Sequence, residues 1–291
     1  MTLQLPPFRH LALVLSPLIA GGCAMPGSAQ PVSSTSAQAA ADAPTFADLA
    51  TLVDRSDMVI RAQITDQATV EPERSAGLQP GHVRLYLEAD TQALLFGSAA
   101  VGEKLKYLVD LPLTENGKAP KVKKQSVLLF GKNVAGRPGQ FSLVTPDAQL
   151  PATPELEATV RKLLGEMTAP DALPRVTGIQ DVMSVRGNLA GESETQIFFN
   201  TKSGAPVSIS VVRRPNMDPR WGVSWSEIVD QSAQPPEPNT MEWYRIACLM
   251  PDEIPESAFL QSESAPRYQA QVDYEFVRRD LGECTRNITS S

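Results

Sequence analysis

The sequence predicts a mainly β or α+β fold: a small barrel or sandwich, then a second α+β domain with a C-terminal helix. Three observations carry this. Apolar residues alternate in short runs between residues 58 and 144, the period-two pattern of half-buried strands. Breaks are frequent, with 25 Pro and 18 Gly in 291 residues, which suits short strands joined by turns. Helical signals stand ahead of the first strand, after the last run of the first half, and near the C-terminus.

Taken in order, Thr45 with Asp48 three residues on opens a helix in capping-box fashion. Phe46, Leu49, Leu52 and Val53 supply its apolar face, and Arg55-Ser56-Asp57 ends it. Met58, Ile60, Ala62 and Ile64 alternate, as do Val83, Leu85, Leu87 and Ala89, then Leu105, Tyr107, Val109 and Leu111. The run 126–130 is apolar without alternation, so it reads as a strand buried on both faces. Residues 140–144 return after the turn Gly136-Arg137-Pro138-Gly139. Thr153 then caps a helix with Pro154 at its first position and Leu156, Val160, Leu163 and Leu164 along it.

Gly165, Pro170, Pro174 and Gly178 mark a boundary between domains at 45–166 and 170–291. Beyond it, runs around 179–185, 195–200, 206–212 and 221–225 predict strands, and residues 240–248 read as another, ended by Pro251. Pro266 opens a helix with a stripe of Tyr268, Val272, Phe276 and Leu281, and Gly282 suits its C-cap.

Residues 1–23 read as an export signal. Arg9 supplies positive charge and residues 11–20 an apolar core, within the usual span of about 7–15 residues. That core falls short of the roughly 17–25 apolar residues of a spanning helix, and Pro17 interrupts it. The segment Leu18-Ile19-Ala20-Gly21-Gly22-Cys23 resembles the lipobox of bacterial lipoproteins. The resemblance implies lipidation of Cys23 and, with Ala24 rather than Asp after it, sorting to the outer membrane, facing the periplasm. Ordinary cleaved secretion into the periplasm or medium is the alternative. Residues 24–44 are small and polar, too poor in large apolar groups to fold. They predict a disordered tether with a reach of roughly 25 Å.

Three cysteines occur, Cys23, Cys248 and Cys284. Lipidating Cys23 leaves Cys248 and Cys284 to form a disulfide, a pairing allowed in an exported chain. Structural zinc takes four Cys or His ligands, so neither a metal site nor a cofactor is expected.

The segments RSDMVIRAQI (55–64), LLFGSAAVGEKLKYLV (94–109) and QSVLLFGKN (125–133) resemble the OB-like barrels of secreted tissue-inhibitor-type domains. The resemblance implies a fold and no activity, because the disulfide-rich edge of the animal forms is missing. The tetrapeptide Leu-Leu-Phe-Gly occurs at 94–97 and 128–131, which reads as two similar strand ends.

The formal charge is −7, and −8 once Arg9 leaves with the signal, which argues against nucleic acid as a partner. Charge is uneven, however. Residues 103–137 hold eight basic and three acidic side chains, a local net of +5. Lys118, Lys121, Lys123 and Lys124 form the densest part. They read either as a basic finger facing an anionic surface or as a solvated hairpin tip that discourages edge pairing.

Catalytic signals are thin. His82 stands in a Pro-Gly-His turn, and Glu192 with Glu194 would share one strand face. No Gly-x-Ser-x-Gly elbow accompanies them. Trp221, Trp225, Trp243 and Arg245 offer a ligand groove for sugar or peptide, or else core aromatics. The expected function is a lipid-anchored envelope protein with a binding or structural role and no enzymatic activity. A peptidoglycan- or carbohydrate-binding lipoprotein and an envelope hydrolase are the alternatives; an envelope polymer or protein is the expected partner.

Overall fold

The computed structural model describes residues 43–98, 102–228 and 233–288, and the chain from Ala41 onward forms one compact unit. The expected export signal with Cys23, and the expected tether up to residue 42, lie outside the described residues. The fold is mainly β with helices, as expected: the described residues form two antiparallel sheets and four α-helices.

Helix α1 (Phe46–Arg55) starts at the Thr45 cap. The Thr45 hydroxyl accepts the Asp48 N–H at 3.0 Å, and the Asp48 carboxylate accepts the Thr45 N–H at 2.9 Å. Two otherwise unpartnered donors of the first turn are thereby satisfied.

Strands β1 (Met58–Thr69), β2 (His82–Phe96), β3 (Lys104–Pro112), β4 (Ser126–Asn133) and β5 (Phe141–Leu143) pair in the order β3-β2-β1-β4-β5, and β6 (Gln149–Pro151) adds to β4. A parallel bridge between Lys106 and Gln140 brings the two ends of this path together, giving a partly open, five-stranded, OB-like barrel. Three register shifts along the β1–β2 pairing add the local twist that bends long strands around such a barrel. Met58, Ile60, Ala62, Ile64, Leu85, Leu87, Leu105, Val109 and Leu129 fill the interior.

Strand β4 is buried on both faces, as its unbroken apolar run predicts. Val127 and Leu129 point into the barrel, while Leu128 and Phe130 join a second cluster with α1. The repeated tetrapeptide has a structural meaning here, since Phe96 and Phe130 both stand opposite Val59, one on each side of β1. Its two glycines serve close approaches. A Cβ at Gly97 would meet Met58 at 2.8 Å, and one at Gly131 would meet the Ser142 carbonyl at 2.2 Å.

Helix α2 (Pro154–Thr168) is capped by Thr153 and leads to the second sheet. This sheet comprises β7 (Val176–Arg186), β8 (Ser193–Thr201), β9 (Val207–Arg213) and β10 (Arg220–Ser224), in the order β10-β9-β8-β7. Helices α3 (Met241–Ala247) and α4 (Ser264–Leu281) complete the chain. The expected boundary near 165–178 falls between the sheets. One apolar cluster nevertheless runs across it, from α1, β4 and α2 through Ile197, Ile209 and Val211 to Tyr274 and Val277. Hydrophobic burial of this kind is the main force holding layers together.

Polar contacts reinforce the same junction. Asp54 of α1 accepts Arg245 of α3 at 2.8 Å; Arg175 lies 2.9 Å from its other oxygen, an ion pair without hydrogen-bond alignment. Asp273 of α4, fully buried, accepts Arg213 Nε and the Thr195 hydroxyl, each at 2.5 Å. Cys248 and Cys284 form the expected disulfide. It links the C-cap of α3 to the tail after α4, so it joins two helix ends rather than a helix and a strand. With a separation of 36 residues, the chain-entropy model gives it about 3–4 kcal/mol.

Three local expectations are corrected. Residues 240–248 form α3 with a Thr240 cap, not a strand. Adjacent Trp243, Tyr244, Arg245 and Ile246 are all buried, so the segment never had the one-sided alternation a strand requires. On α4 the core stripe is Ala270, Asp273, Tyr274, Val277 and Leu281, and Tyr268 is exposed. Asp273 drew the stripe away from the purely apolar positions because a buried carboxylate is tolerated where it is paired. Val185 is exposed as well, because a register shift between Ile179 and Asp181 resets the β7 alternation.

Candidate functional site

The basic loop joins β3 to β4. Its tip closes on Thr114, whose N–H donates to Lys118 O at 2.9 Å and whose hydroxyl accepts the Lys118 N–H at 3.2 Å. Gly117 supplies the left-handed step of that turn, with φ +67°. Nearer the barrel, the Gln67 side-chain amide acts as a clamp. Its oxygen accepts Val122 N at 2.8 Å and Lys123 N at 3.2 Å, and its nitrogen donates to Pro120 O at 3.0 Å. Val122 is buried among barrel residues, and Lys124 N donates to Ile64 O at 2.7 Å.

Lys118, Lys121, Lys123 and Lys124 are therefore exposed side chains on a fixed backbone. Lys123 Nζ lies 3.1 Å from Asp66. Its hydrogen bond holds the Asp66 carboxyl below the usual carboxylate range, helped by the backbone at Gln67. Lys118, Lys121 and Lys124 have no ion-pair partner among the described residues.

The tryptophan groove is not present. Trp221 is 5% exposed and donates to Asp280 at 2.6 Å. Trp243, 6% exposed, donates to Leu281 O at 2.8 Å. Arg245 is buried against Asp54, and Trp225 lies past the end of β10, partly buried against the core. Trp221 and Trp243 thus have their indole N–H groups engaged internally, which is what buried aromatics require, while Arg245 keeps its Nε buried without a partner among the described residues.

The catalytic candidates lie apart. His82 opens β2 of the barrel, its Nδ1 3.1 Å from Pro80 O. Glu192 sits at the β7–β8 turn, 3.5 Å from Arg214, and Glu194 accepts from Gln196. Among the described residues no group of three or more His, Cys, Asp or Glu could hold a metal ion, and no described helix is long and apolar enough to cross a membrane.

The structure adds a groove that the sequence reading missed. Lys106 N donates to Gly139 O at 2.8 Å and Asp110 N to Pro146 O at 2.7 Å. Five residues of β3 (106–110) are thus faced by eight of the opposite segment (139–146), which bows outward. The space it leaves, about 840 Å³, runs over the outer face of β2 and β3 to the end of β1. Tyr86 and Leu108 are register partners on its floor, 36% and 48% exposed. Beside them Arg84 grips Asp110 through two 2.7 Å bonds, and Lys106 pairs with Glu88 at 2.8 Å. Asp110 raises the Arg84 pKa above its ordinary value. A signal for this site was present: Tyr86 and Leu108 occupy outward positions of alternating strands, where polar residues are the rule.

No protein-family model and no curated protein matches the chain.

Proposed function

We propose that the chain is a non-enzymatic binding protein of the bacterial envelope. A lipid on Cys23 holds it at the outer membrane, and the loop bearing Lys118, Lys121, Lys123 and Lys124 contacts an anionic surface there. The observation that carries this reading is the Gln67 clamp. A hairpin tip whose lysines only oppose edge pairing needs no fixed backbone, whereas a contact surface gains affinity from pre-organisation. Phospholipid or lipopolysaccharide head groups, or a charged wall polymer, supply the matching charge. The hydrolase alternative has little support, with His82 on the barrel, Glu192 in the β7–β8 turn and Glu194 on β8 of the other sheet. The carbohydrate alternative loses the tryptophans it was built on.

Two measurements test the proposal. Fatty-acid labelling of the full chain should mark the wild type and fail for Cys23→Ser; label retained by the variant removes the anchor. Residues 41–291, one compact unit, should bind phosphatidylglycerol vesicles and ignore phosphatidylcholine ones. Each lysine near an anionic surface contributes about 1 kcal/mol, so a Lys118/Lys121/Lys124→Ala variant should bind at least tenfold more weakly. Equal binding to both vesicle types, or an unchanged variant, overturns the surface contact.

A further inference from the structure

We infer that the groove over β2 and β3 is a binding site for an uncharged oligosaccharide, and that it acts independently of the lysine loop. The floor offers one apolar patch two side chains wide, Tyr86 beside Leu108. That size matches the C–H face of a single sugar ring against an aromatic platform. On either side the charged groups are already neutralised in pairs, Arg84 with Asp110 and Lys106 with Glu88. Such pairs present hydrogen-bonding edges without a net charge, the complement of hydroxyl groups rather than of phosphate or carboxylate.

The rim is mixed, with Glu71 and Arg74, apolar Val70, Val134 and Val144, and several neutral donors and acceptors. Thr69 lies on one wall, and Gln140, Ser142 and Thr145 on the other. The Thr145 hydroxyl is shielded from solvent and has no hydrogen-bond partner, a group whose desolvation a ligand hydroxyl would offset. The volume of about 840 Å³ falls within the usual range for ligand clefts, roughly 300–1,000 Å³.

An extended peptide fits less well. Strand addition needs a free run of edge backbone, and here β3 is tied to the facing segment at Lys106 and again at Asp110. Only the short stretch around Leu108 lies between those ties. A polyanion fits less well still, since Arg84 and Lys106 are paired on the floor and the rim adds one cation and one anion, Arg74 and Glu71, for no net charge.

The test is an array of uncharged oligosaccharides of glucose, galactose and N-acetylglucosamine, with heparin and unstructured peptides beside them, probed with residues 41–291. At least one uncharged saccharide should bind. Titration calorimetry with it should show a loss of tenfold or more in Tyr86→Ala, recovery in Tyr86→Phe, and a loss in Thr145→Val. Tyr86 is at the surface, so the Ala variant should keep its unfolding midpoint. The Lys118/Lys121/Lys124→Ala variant should bind the sugar as the wild type does, which separates this site from the vesicle contact. Binding of peptide or heparin alone, no saccharide bound at millimolar concentration, or a Tyr86→Ala variant of full affinity each overturns the inference.

Discussion

The Asp48 carboxylate accepts the backbone N–H of Asn287 at 2.9 Å, and so fastens the last described turn of the chain to the first turn of helix α1. The same side chain also accepts Ile288 N at 3.2 Å and both the N–H and hydroxyl of Thr45. Asp48 is 0% exposed. A carboxyl group that accepts several backbone donors at once ties together the segments those donors belong to.

Replacing it exposes that dependence. Asp48→Ala leaves buried donors on both segments unsatisfied, at about 1–3 kcal/mol for each group fully deprived of solvent. A total loss of about 2–4 kcal/mol is expected in urea unfolding. Removing residues 287–291 should cost less, and the two changes together should fall well short of their sum. Full additivity would mean that helix capping and tail docking are separate events.

Alkaline pH provides a second handle. Tyr107, Tyr244 and Tyr274 all have phenols pushed above the ordinary value of 10.0, chiefly by burial. Folding therefore favours their protonated form. For a group raised in the folded state, stability is complete below the unfolded pKa and is lost as pH rises toward the folded one. The urea midpoint should hold steady to about pH 9 and fall steeply above about pH 10. Tyr107→Phe should flatten that fall by one titrating group, despite losing its 2.6 Å bond to Gln149. A fall that is equally steep in the variant assigns alkaline unfolding to other groups.

The barrel was legible because its strands have one wet face, so Met58, Ile60, Ala62 and Ile64 announce themselves by spacing. Helix α3 was not, because Trp243, Tyr244, Arg245 and Ile246 are enclosed on all sides, and a segment buried all round has no periodicity to read. The disulfide followed from counting cysteines once Cys23 was set aside for the expected lipid. The lysine loop was visible as a charge excess, but its rigidity depends on Gln67, a residue 55 positions from Val122 with no local sign of that role. The groove needed tertiary knowledge of a different sort: the bow between Gly139 and Pro146 exists only because β3 faces it.

Gln67 thus offers the sharpest test of how the lysine loop works. Gln67→Ala removes three hydrogen bonds from Pro120, Val122 and Lys123, while leaving every lysine and the net charge of the loop in place. Since a typical intramolecular hydrogen bond contributes about 0.5–1.5 kcal/mol net, global stability should fall by about 1–3 kcal/mol. Hydrogen exchange at Val122 and Lys123 should accelerate more than that, because the clamp acts on them directly. If pre-organisation supplies part of the affinity, phosphatidylglycerol vesicles should be bound about three- to tenfold more weakly, the equivalent of one ordered side chain or so at about 0.5–1.5 kcal/mol. Faster exchange at these amides with undiminished vesicle binding would show that charge alone makes the contact, and the clamp would then be a device of folding rather than of recognition.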